Sequence, residues 1–353
     1  SKTEKDSQVA VLDSLEMMEK LSTSDKGREK IREKHGVKKC VALLKDFGDD
    51  REVVEKTNKT LAGLVAASKD IEEFEESNGT QAVVDNFERY LNDEPMLIAL
   101  CELVGRTATT TKMQTEYGSK GVVDTIAKGI KINPTGVPLN FAMMFALSSL
   151  VLNHSDNSKK VLSSDLMPHI KGLSETHLHE PKLMSQMATL YNNLAFKSME
   201  NKKALAAMGV VEILCRIFAH YQKENEKNVI RQVLKAIGNL ALFQDNAVAI
   251  VKFGFIPPAT EYLHNHTQQA DLVKLCLAVI GNLAIEDVGQ QVDKMIEQNV
   301  IEAIVYCIKA HELNTDLLIT AIESLGNLIK TKDHAQKVAQ HDGLEAVLRI
   351  LKS

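Results

Sequence analysis

A motif that recurs at a nearly constant interval is the strongest constraint on how this chain can fold. Three segments share it, AIGNLAL at 236–242, VIGNLAI at 279–285 and SLGNLIK at 324–330, and YNNLAF at 191–196 keeps its Asn-Leu-Ala core. The asparagines follow one another at steps of 46, 43 and 45 residues, at Asn193, Asn239, Asn282 and Asn327. Self-similarity of this period predicts a stack of repeats rather than two or three independent domains.

Two further observations extend the repeat towards the N-terminus. Degenerate copies of the motif place Ser149, Arg106, Gly63 and Lys20 at the position of the asparagine. A second landmark, a glycine followed by an apolar helix, recurs at steps of 42 to 45 residues: Gly36, Gly79, Gly121, Gly209, Gly254 and Gly343, with Leu166 and Asn299 at the equivalent positions. The asparagine positions and the glycine positions give the same period over almost the whole chain, so the repeat is not a chance match.

Each unit is predicted to contain three helices. In one copy a short helix at 201–208 precedes Gly209, which can adopt a positive φ and turn the chain sharply. A second helix at 210–221 and a longer third one at 228–243 carry apolar residues at helical spacing. Most length variation falls in the loop between the second and third helices, so these loops are expected along one edge of the stack.

The Gly-Asn-Leu-Ala helix, the glycine turn and the period of 42–46 residues resemble the armadillo repeat. The resemblance implies an all-α fold, a right-handed α-solenoid of about eight repeats with three helices each. We expect one domain over 1–353, with a partial N-terminal cap at 1–27, seven repeats over 28–333 and a C-terminal capping half-repeat at 334–353. HEAT repeats, the nearest alternative, have two helices and lack the pairing of glycine turn and Asn-Leu-Ala.

Composition excludes several classes of function. The chain has 42 basic and 47 acidic residues, a formal net charge of −5, which argues against general affinity for nucleic acid. Its apolar runs stay below about 10 residues, short of the roughly 20 that a membrane-spanning helix needs. The hydrophilic segment SKTEKDSQ predicts no signal peptide. The five cysteines fit no zinc or redox spacing and are expected as buried thiols in a reducing compartment.

The asparagines of the third helices are the first candidates for binding. In armadillo proteins this residue often clamps the backbone of an extended peptide in a concave groove, and the resemblance assigns that role to Asn193, Asn239, Asn282 and Asn327. The amide supplies both a donor and an acceptor. The alternative is structural: the same amides would bond the backbone of a neighbouring unit and set the stacking angle. Both interpretations are open at this point.

The neighbouring positions indicate which ligand such a groove would take. Nuclear-import adaptors of this fold place a Trp one turn before the asparagine, but this chain has no Trp. Cation–π contacts to basic cargo are therefore missing. Arg231, Lys235 and Lys274 fall one or two turns before an asparagine on the same helical face. Such a lining would select an acidic extended segment, as in catenins, unless it is an ordinary solvated face.

A second charged region suggests another type of partner. Residues 51–100 hold 11 acidic and 5 basic side chains, with a cluster in the first helix of one unit at Asp70, Glu72, Glu73, Glu75 and Glu76. Such runs usually mark solvated helix starts. The sharper interpretation is a docking patch for a basic partner, because dissociation stimulators of small GTPases share this fold and bind basic GTPase tails.

No motif of a known enzyme class stands out in the chain. The His-x-His pairs, His177/His179 and His264/His266, lie in variable loops two repeats apart, so no metal centre and no cofactor are expected. We therefore predict a non-catalytic, cytoplasmic scaffold or adaptor that binds a partner segment or helix in its C-terminal half, with nuclear or cytoskeletal association open. The alternatives are a regulatory binding protein for a small GTPase and an architectural part of a cytoskeletal or ciliary assembly.

Overall fold

Short helices separated by tight turns account for the regular structure of the chain. The computed structural model describes residues 2–288 and 290–350, with side chains from Ser7 onward, and over these residues it contains 24 helices and no strand. The chain is all-α, as predicted. It divides into two compact units, Ser1–His169 and Ile170–Ser353, and the division falls inside helix α12.

The first twelve helices are α1 (Lys2–Ser22), α2 (Asp25–Glu33), α3 (Gly36–Asp46), α4 (Arg51–Leu64), α5 (Ser68–Glu76), α6 (Gly79–Arg89), α7 (Glu94–Thr107), α8 (Thr111–Ser119), α9 (Val122–Gly129), α10 (Val137–Val151), α11 (Ser155–Ser163) and α12 (Leu166–Thr176). The other twelve are α13 (Pro181–Ala195), α14 (Met199–Ala207), α15 (Val210–Glu224), α16 (Lys227–Ala241), α17 (Gln244–Lys252), α18 (Ile256–Asn265), α19 (Ala270–Leu283), α20 (Gln291–Glu297), α21 (Val300–Ala310), α22 (Thr315–Asn327), α23 (Lys332–Gln340) and α24 (Gly343–Ile350).

From α2 to α22 these helices follow one another in threes. The first helix of each set has at most 9 residues and the third has 13 to 15. In the repeat used for prediction the three helices are Met199–Ala207, Val210–Glu224 and Lys227–Ala241, each within three residues of its predicted ends. Each set corresponds to one period of the sequence, so the three-helix repeat is confirmed.

The core of each unit lies between successive third helices. In the first unit α1, α4, α7 and α10 pack in that order, and in the second α13, α16, α19 and α22 do the same. Leu240 and Leu283, which follow the motif asparagines Asn239 and Asn282, are 0% exposed. A single repeat cannot cover such a face by itself, so burial of each third helix requires its neighbour.

The turn between the first and second helices has two versions. Gly209 adopts φ +81°, as predicted, and Gly121 and Gly254 do likewise. At Gly79 the left-handed residue is instead the preceding Asn78, with φ 59°. Here glycine is needed for space, because a Cβ on Gly79 would lie 2.5 Å from the Phe74 ring. The same one-residue shift occurs at His35 and Asp342, which precede Gly36 and Gly343.

Helix starts follow ordinary capping chemistry. The side chains of Asp50 and Asp93 accept the backbone N–H groups of Val53 and Met96 at the starts of α4 and α7. Ser198 caps α14 in the same way. Each such bond satisfies one of the four backbone donors that a helix start leaves unpaired.

Among the described residues no single helix combines the length and apolar character that a membrane crossing requires. The bent pair Met199–Ala207 and Val210–Glu224, which meets at 76°, passes that test of length and composition only when the two helices are taken together.

Candidate functional site

The candidate site is the third-helix face of the second unit, which we define by Asn193 on α13, Asn239 on α16, Asn282 on α19 and Asn327 on α22. The local sequence places these residues in the last two turns of amphipathic helices whose apolar stripe is buried. All four asparagines are half-buried. The structure therefore brings the four predicted residues onto successive helices of one unit.

Three of these amides form hydrogen bonds to the preceding repeat. Asn282 donates through Nδ2 to the carbonyl of Gly238 at 3.3 Å, and Asn327 donates to the carbonyl of Gly281 at 3.3 Å. Asn239 donates to Oδ1 of Asn192 at 2.7 Å. Each acceptor belongs to the residue just before the motif asparagine of the preceding repeat. Every bond therefore joins two successive third helices at the same position of the motif.

The glycine before the asparagine explains the rest of the motif. A Cβ on Gly281 would lie 2.7 Å from Oγ of Ser324, closer than real Cβ atoms come to other heavy atoms. Glycine therefore lets α22 approach α19, and the approach brings the Asn327 amide within reach of the Gly281 carbonyl. In the first unit Ser149 Oγ donates to the carbonyl of Gly105 at 2.8 Å, so a serine does the same work there.

Two of the three predicted basic residues are paired with acids of the next third helix. Arg231 on α16 forms an ion pair with Asp271, and Lys274 on α19 lies 3.3 Å from Asp316 on α22. The hydrogen bond from Arg231 lowers the pKa of the Asp271 carboxyl. Lys235, one turn after Arg231 on α16, is exposed. The basic lining expected from sequence is thus a row of charge pairs, because the acids come from helices 40 and 42 residues further along.

The comparisons with known proteins concern the family and the fold of the chain. The family model of the GAC ARM domain matches residues 93–353. The chain belongs to the GAC ARM domain family. The fold also resembles the crystal structure of an engineered protein from the Northeast Structural Genomics Consortium, with a TM-score of 0.75, 16% identity and coverage of 88% of this chain and 72% of that chain. None of the curated proteins compared with the chain matches it.

Most of the acidic cluster on α5, which precedes the matched residues, is engaged within the fold. Asp70 is 3% exposed, and its carboxylate accepts two hydrogen bonds from Arg32, at 2.6 and 2.9 Å. Glu73 lies 3.0 Å from Nδ1 of His35, and Glu75 pairs with Lys112. The two remaining acids, Glu72 and Glu76, are exposed. The run of acids is therefore mainly an inter-repeat contact of α5.

The five cysteines of the chain are buried thiols, as predicted: Cys40, Cys101, Cys215, Cys276 and Cys307. Burial raises the pKa of Cys40, Cys215 and Cys307 to about 12. Such thiols carry almost no thiolate at neutral pH, which makes them poor nucleophiles and metal ligands.

The two His-x-His pairs do not meet. His264 stacks against Tyr306 at a ring distance of 4.7 Å, whereas His179 stacks against His220 at 4.8 Å. No sequence pattern singles out His220, which the fold places beside His179.

Two sets of residues were missed by the sequence analysis. Buried first-helix amides also join the repeats: Asn157 donates to the Gln114 carbonyl at 2.9 Å and Asn246 to the Lys202 carbonyl at 3.1 Å. Exposed apolar residues lie three positions after three of the motif asparagines, at Phe196, Leu242 and Ile285. Both sets recur at about the period of the repeat, which is the signal that could have revealed them.

Proposed function

We propose that this armadillo domain is a non-catalytic scaffold that binds an extended segment or a helix of a protein partner on the third-helix face of its second unit. The observation that carries the proposal is the row of half-buried amides on α13, α16, α19 and α22. An amide has two N–H donors and an acceptor oxygen, and in Asn239, Asn282 and Asn327 the bond to the preceding repeat uses one donor. The atoms that remain can bind a peptide backbone.

The same row is compatible with both roles considered for the asparagines, stacking of repeats and binding of a peptide. The inter-repeat bonds of Asn239, Asn282 and Asn327 are the stacking role, and the remaining capacity of the amides supports the binding role. Each hydrogen bond contributes about 0.5–1.5 kcal/mol net, so the row alone falls short of the roughly 8 kcal/mol of micromolar binding. The exposed apolar side chains of Phe196, Leu242 and Ile285 can supply the additional contacts.

We propose an acidic segment as the ligand of this face, with Lys235 as its first contact. Arg231 and Lys274 would exchange their present partners for ligand carboxylates. Their side-chain partners Asp271 and Asp316 are 61% and 82% exposed, and exposed ion pairs contribute only about 0–1 kcal/mol. Exchange is therefore inexpensive.

Membership of the GAC ARM family favours a partner connected with small GTPases, and this is our second proposal. The sequence interpretation placed the contact at the acidic cluster of α5, of which two carboxylates, Glu72 and Glu76, are exposed. We locate the domain in the cytoplasm, where both types of partner would be met. An architectural role in a cytoskeletal or ciliary assembly is the third possibility.

The test compares two double variants of the full chain in its native cell. Asn239→Ala with Asn282→Ala removes two amides of the third-helix face, and Asn201→Ala with Asn246→Ala removes two buried amides of first helices. The first variant loses the bonds of Asn239 and Asn282 to the preceding repeat. The second loses the bonds of Asn201 to the Leu194 carbonyl and of Asn246 to the Lys202 carbonyl, so similar losses of stability are expected. Proximity labelling is expected to lose its main partners with the first variant and keep them with the second. Equal loss with both would show that the amides act through stability, and unchanged labelling would refute the proposed face.

The GTPase proposal has its own experiment. Nucleotide release from a panel of small GTPases is measured with and without the chain, and again with Glu72→Lys and Glu76→Lys together. Acceleration that this variant abolishes would support contact through α5. No effect on any GTPase would exclude a dissociation-stimulating role.

A further inference from the structure

We infer that His179, His220 and Glu224 form a binding site for a divalent transition-metal ion, Zn²⁺ by preference, at the edge of the second unit. One potential ligand atom from each residue lies within 4.8 Å of the others. Two imidazoles and a carboxylate form a ligand set that zinc prefers.

The helix supplies two of the ligands in suitable positions. His220 and Glu224 are four residues apart on α15, so their side chains share one face of the helix. Nε2 of His220 lies 3.2 Å from Oε1 of Glu224. Two ligands of a tetrahedral zinc ion, each about 2.05 Å from the metal, are about 3.3 Å apart. The spacing of this pair therefore matches that of two ligands on one ion.

In this contact the Nε2 atom of His220 lacks a hydrogen-bond partner among the described residues, and a metal ion would supply a bond to it. Nε2 of His220 is buried, and within the described part of the chain it has no hydrogen-bond partner despite the nearby carboxylate. Buried polar atoms without a partner are uncommon in folded proteins. A metal ion between Nε2 and the carboxylate would satisfy both groups.

The third ligand comes from the loop between α12 and α13, and the fold holds that loop in place. The hydroxyl of Tyr221 donates to the carbonyl of Leu178 at 2.6 Å. This bond joins the neighbour of His220 to the neighbour of His179. His179 itself is exposed and packs edge-on against the His220 ring with centroids 4.8 Å apart, so a rotation of its side chain can close the coordination.

Three protein ligands leave one position of a tetrahedral ion open to water or to a group from a partner. Metal binding would clamp the loop between α12 and α13 to α15. The two His-x-His pairs predict no metal centre, because they lie two repeats apart; the site arises instead where the fold brings His179 next to His220 and Glu224.

The test is calorimetric titration of ZnCl₂ into the full, tag-free chain after treatment with a chelator. We expect one saturable site in the unaltered protein. His179→Ala and His220→Ala should each weaken binding by more than the roughly 10–100-fold that loss of an outer-shell partner costs. His264→Ala, which alters a histidine at the end of α18, is the matched control and should bind as the unaltered chain does.

A second readout separates metal binding from folding. Excess Zn²⁺ should raise the Tm of the unaltered chain and of His264→Ala, but not that of His179→Ala, because His179 is exposed and its loss should leave the fold intact. Absence of saturable binding, or equal binding by His179→Ala and the unaltered chain, would overturn the assignment.

Discussion

At the level of single residues, the Gly-Asn pair of the third helix performs two linked tasks. Glycine allows the next helix to come close, and the asparagine of that helix bonds the carbonyl that the glycine exposes. Gly281 illustrates the first task and Asn327 the second. Among the three motif glycines the crowding is specific to Gly281, because a Cβ on Gly238 would meet Val279 only at 3.4 Å and one on Gly326 would meet nothing within 4 Å.

Gly281 and Gly326 occupy the same motif position but differ in surroundings, which makes them a matched pair. Gly281→Ala places a Cβ 2.7 Å from Ser324 Oγ and 3.3 Å from its Cα, so we expect a loss of about 1–3 kcal/mol. A Cβ on Gly326 meets nothing within 4 Å, and Gly326→Ala should stabilise the helix by up to about 1 kcal/mol. Urea denaturation of both variants decides; equal effects would contradict this account of the motif.

The cysteines give a prediction about pH. Burial raises the pKa of Cys215 to about 12, so its thiol stays protonated in mildly alkaline buffer. We expect no rapid reaction of the folded chain with an aromatic disulfide reagent at pH 8, and five reacting thiols after unfolding. Fast labelling of even one thiol in the folded chain would show that its repeat opens or is packed differently.

At the level of helices, ion pairs connect first helices of successive repeats. Arg32 on α2 and Asp70 on α5 form the most buried of the pairs described above. Asp70 also accepts the backbone N–H of Ala67 at the start of α5. One carboxylate therefore caps its own helix and holds the preceding repeat.

Arg32→Ala would leave the Asp70 carboxylate buried without its cation. We expect a loss of about 1–3 kcal/mol, the usual desolvation cost of an unsatisfied buried group. Glu72→Ala, on the exposed side of α5, is the control and should change the free energy of unfolding by no more than about 0.5 kcal/mol. Thermal and urea unfolding measure both; similar losses would mean that the charge of α5 matters and the specific pair does not.

The ion pair between α16 and α19 gives a signed dependence on pH. Arg231 lowers the pKa of Asp271, so the pair stabilises the fold above the ordinary titration range of aspartate, near pH 4. That contribution is lost as the pH falls through the lowered pKa. Arg231→Ala should return the Asp271 titration to the ordinary range, seen by carboxyl-carbon NMR, whereas Lys235→Ala should leave it unchanged. An unshifted titration in the unaltered chain would disprove the pairing.

At the level of the whole molecule, stability should be shared between neighbouring repeats. Asn192 and Asn239 bond each other, so Asn192→Ala and Asn239→Ala should couple by at least about 0.5 kcal/mol. Asn239→Ala and Asn327→Ala lie two repeats apart, share no partner and should add within about 0.5 kcal/mol. Double-mutant cycles in urea measure both; strong coupling of the distant pair would argue against nearest-neighbour stability.

The repeat, the three helices and the turn at Gly209 could be predicted because each has a signal in local sequence. The left-handed residue at Asn78 could not, since the repeat pattern marks Gly79 as the turn residue, and the Phe74 ring that requires a glycine there comes close only on folding. The ion pairs of Arg231 with Asp271 and of Lys274 with Asp316 were missed for a similar reason, because each acid comes from the following repeat. The first-helix amides had a usable signal, because Asn157, Asn201 and Asn246 are 44 and 45 residues apart.

The bonds between third helices also bear on how such a chain can evolve. Asn239, Asn282 and Asn327 reach the preceding helix across 47, 44 and 46 residues, so loop insertions of a few residues leave the bond in place. A gene can therefore lengthen or shorten the edge loops without disturbing the helices they join.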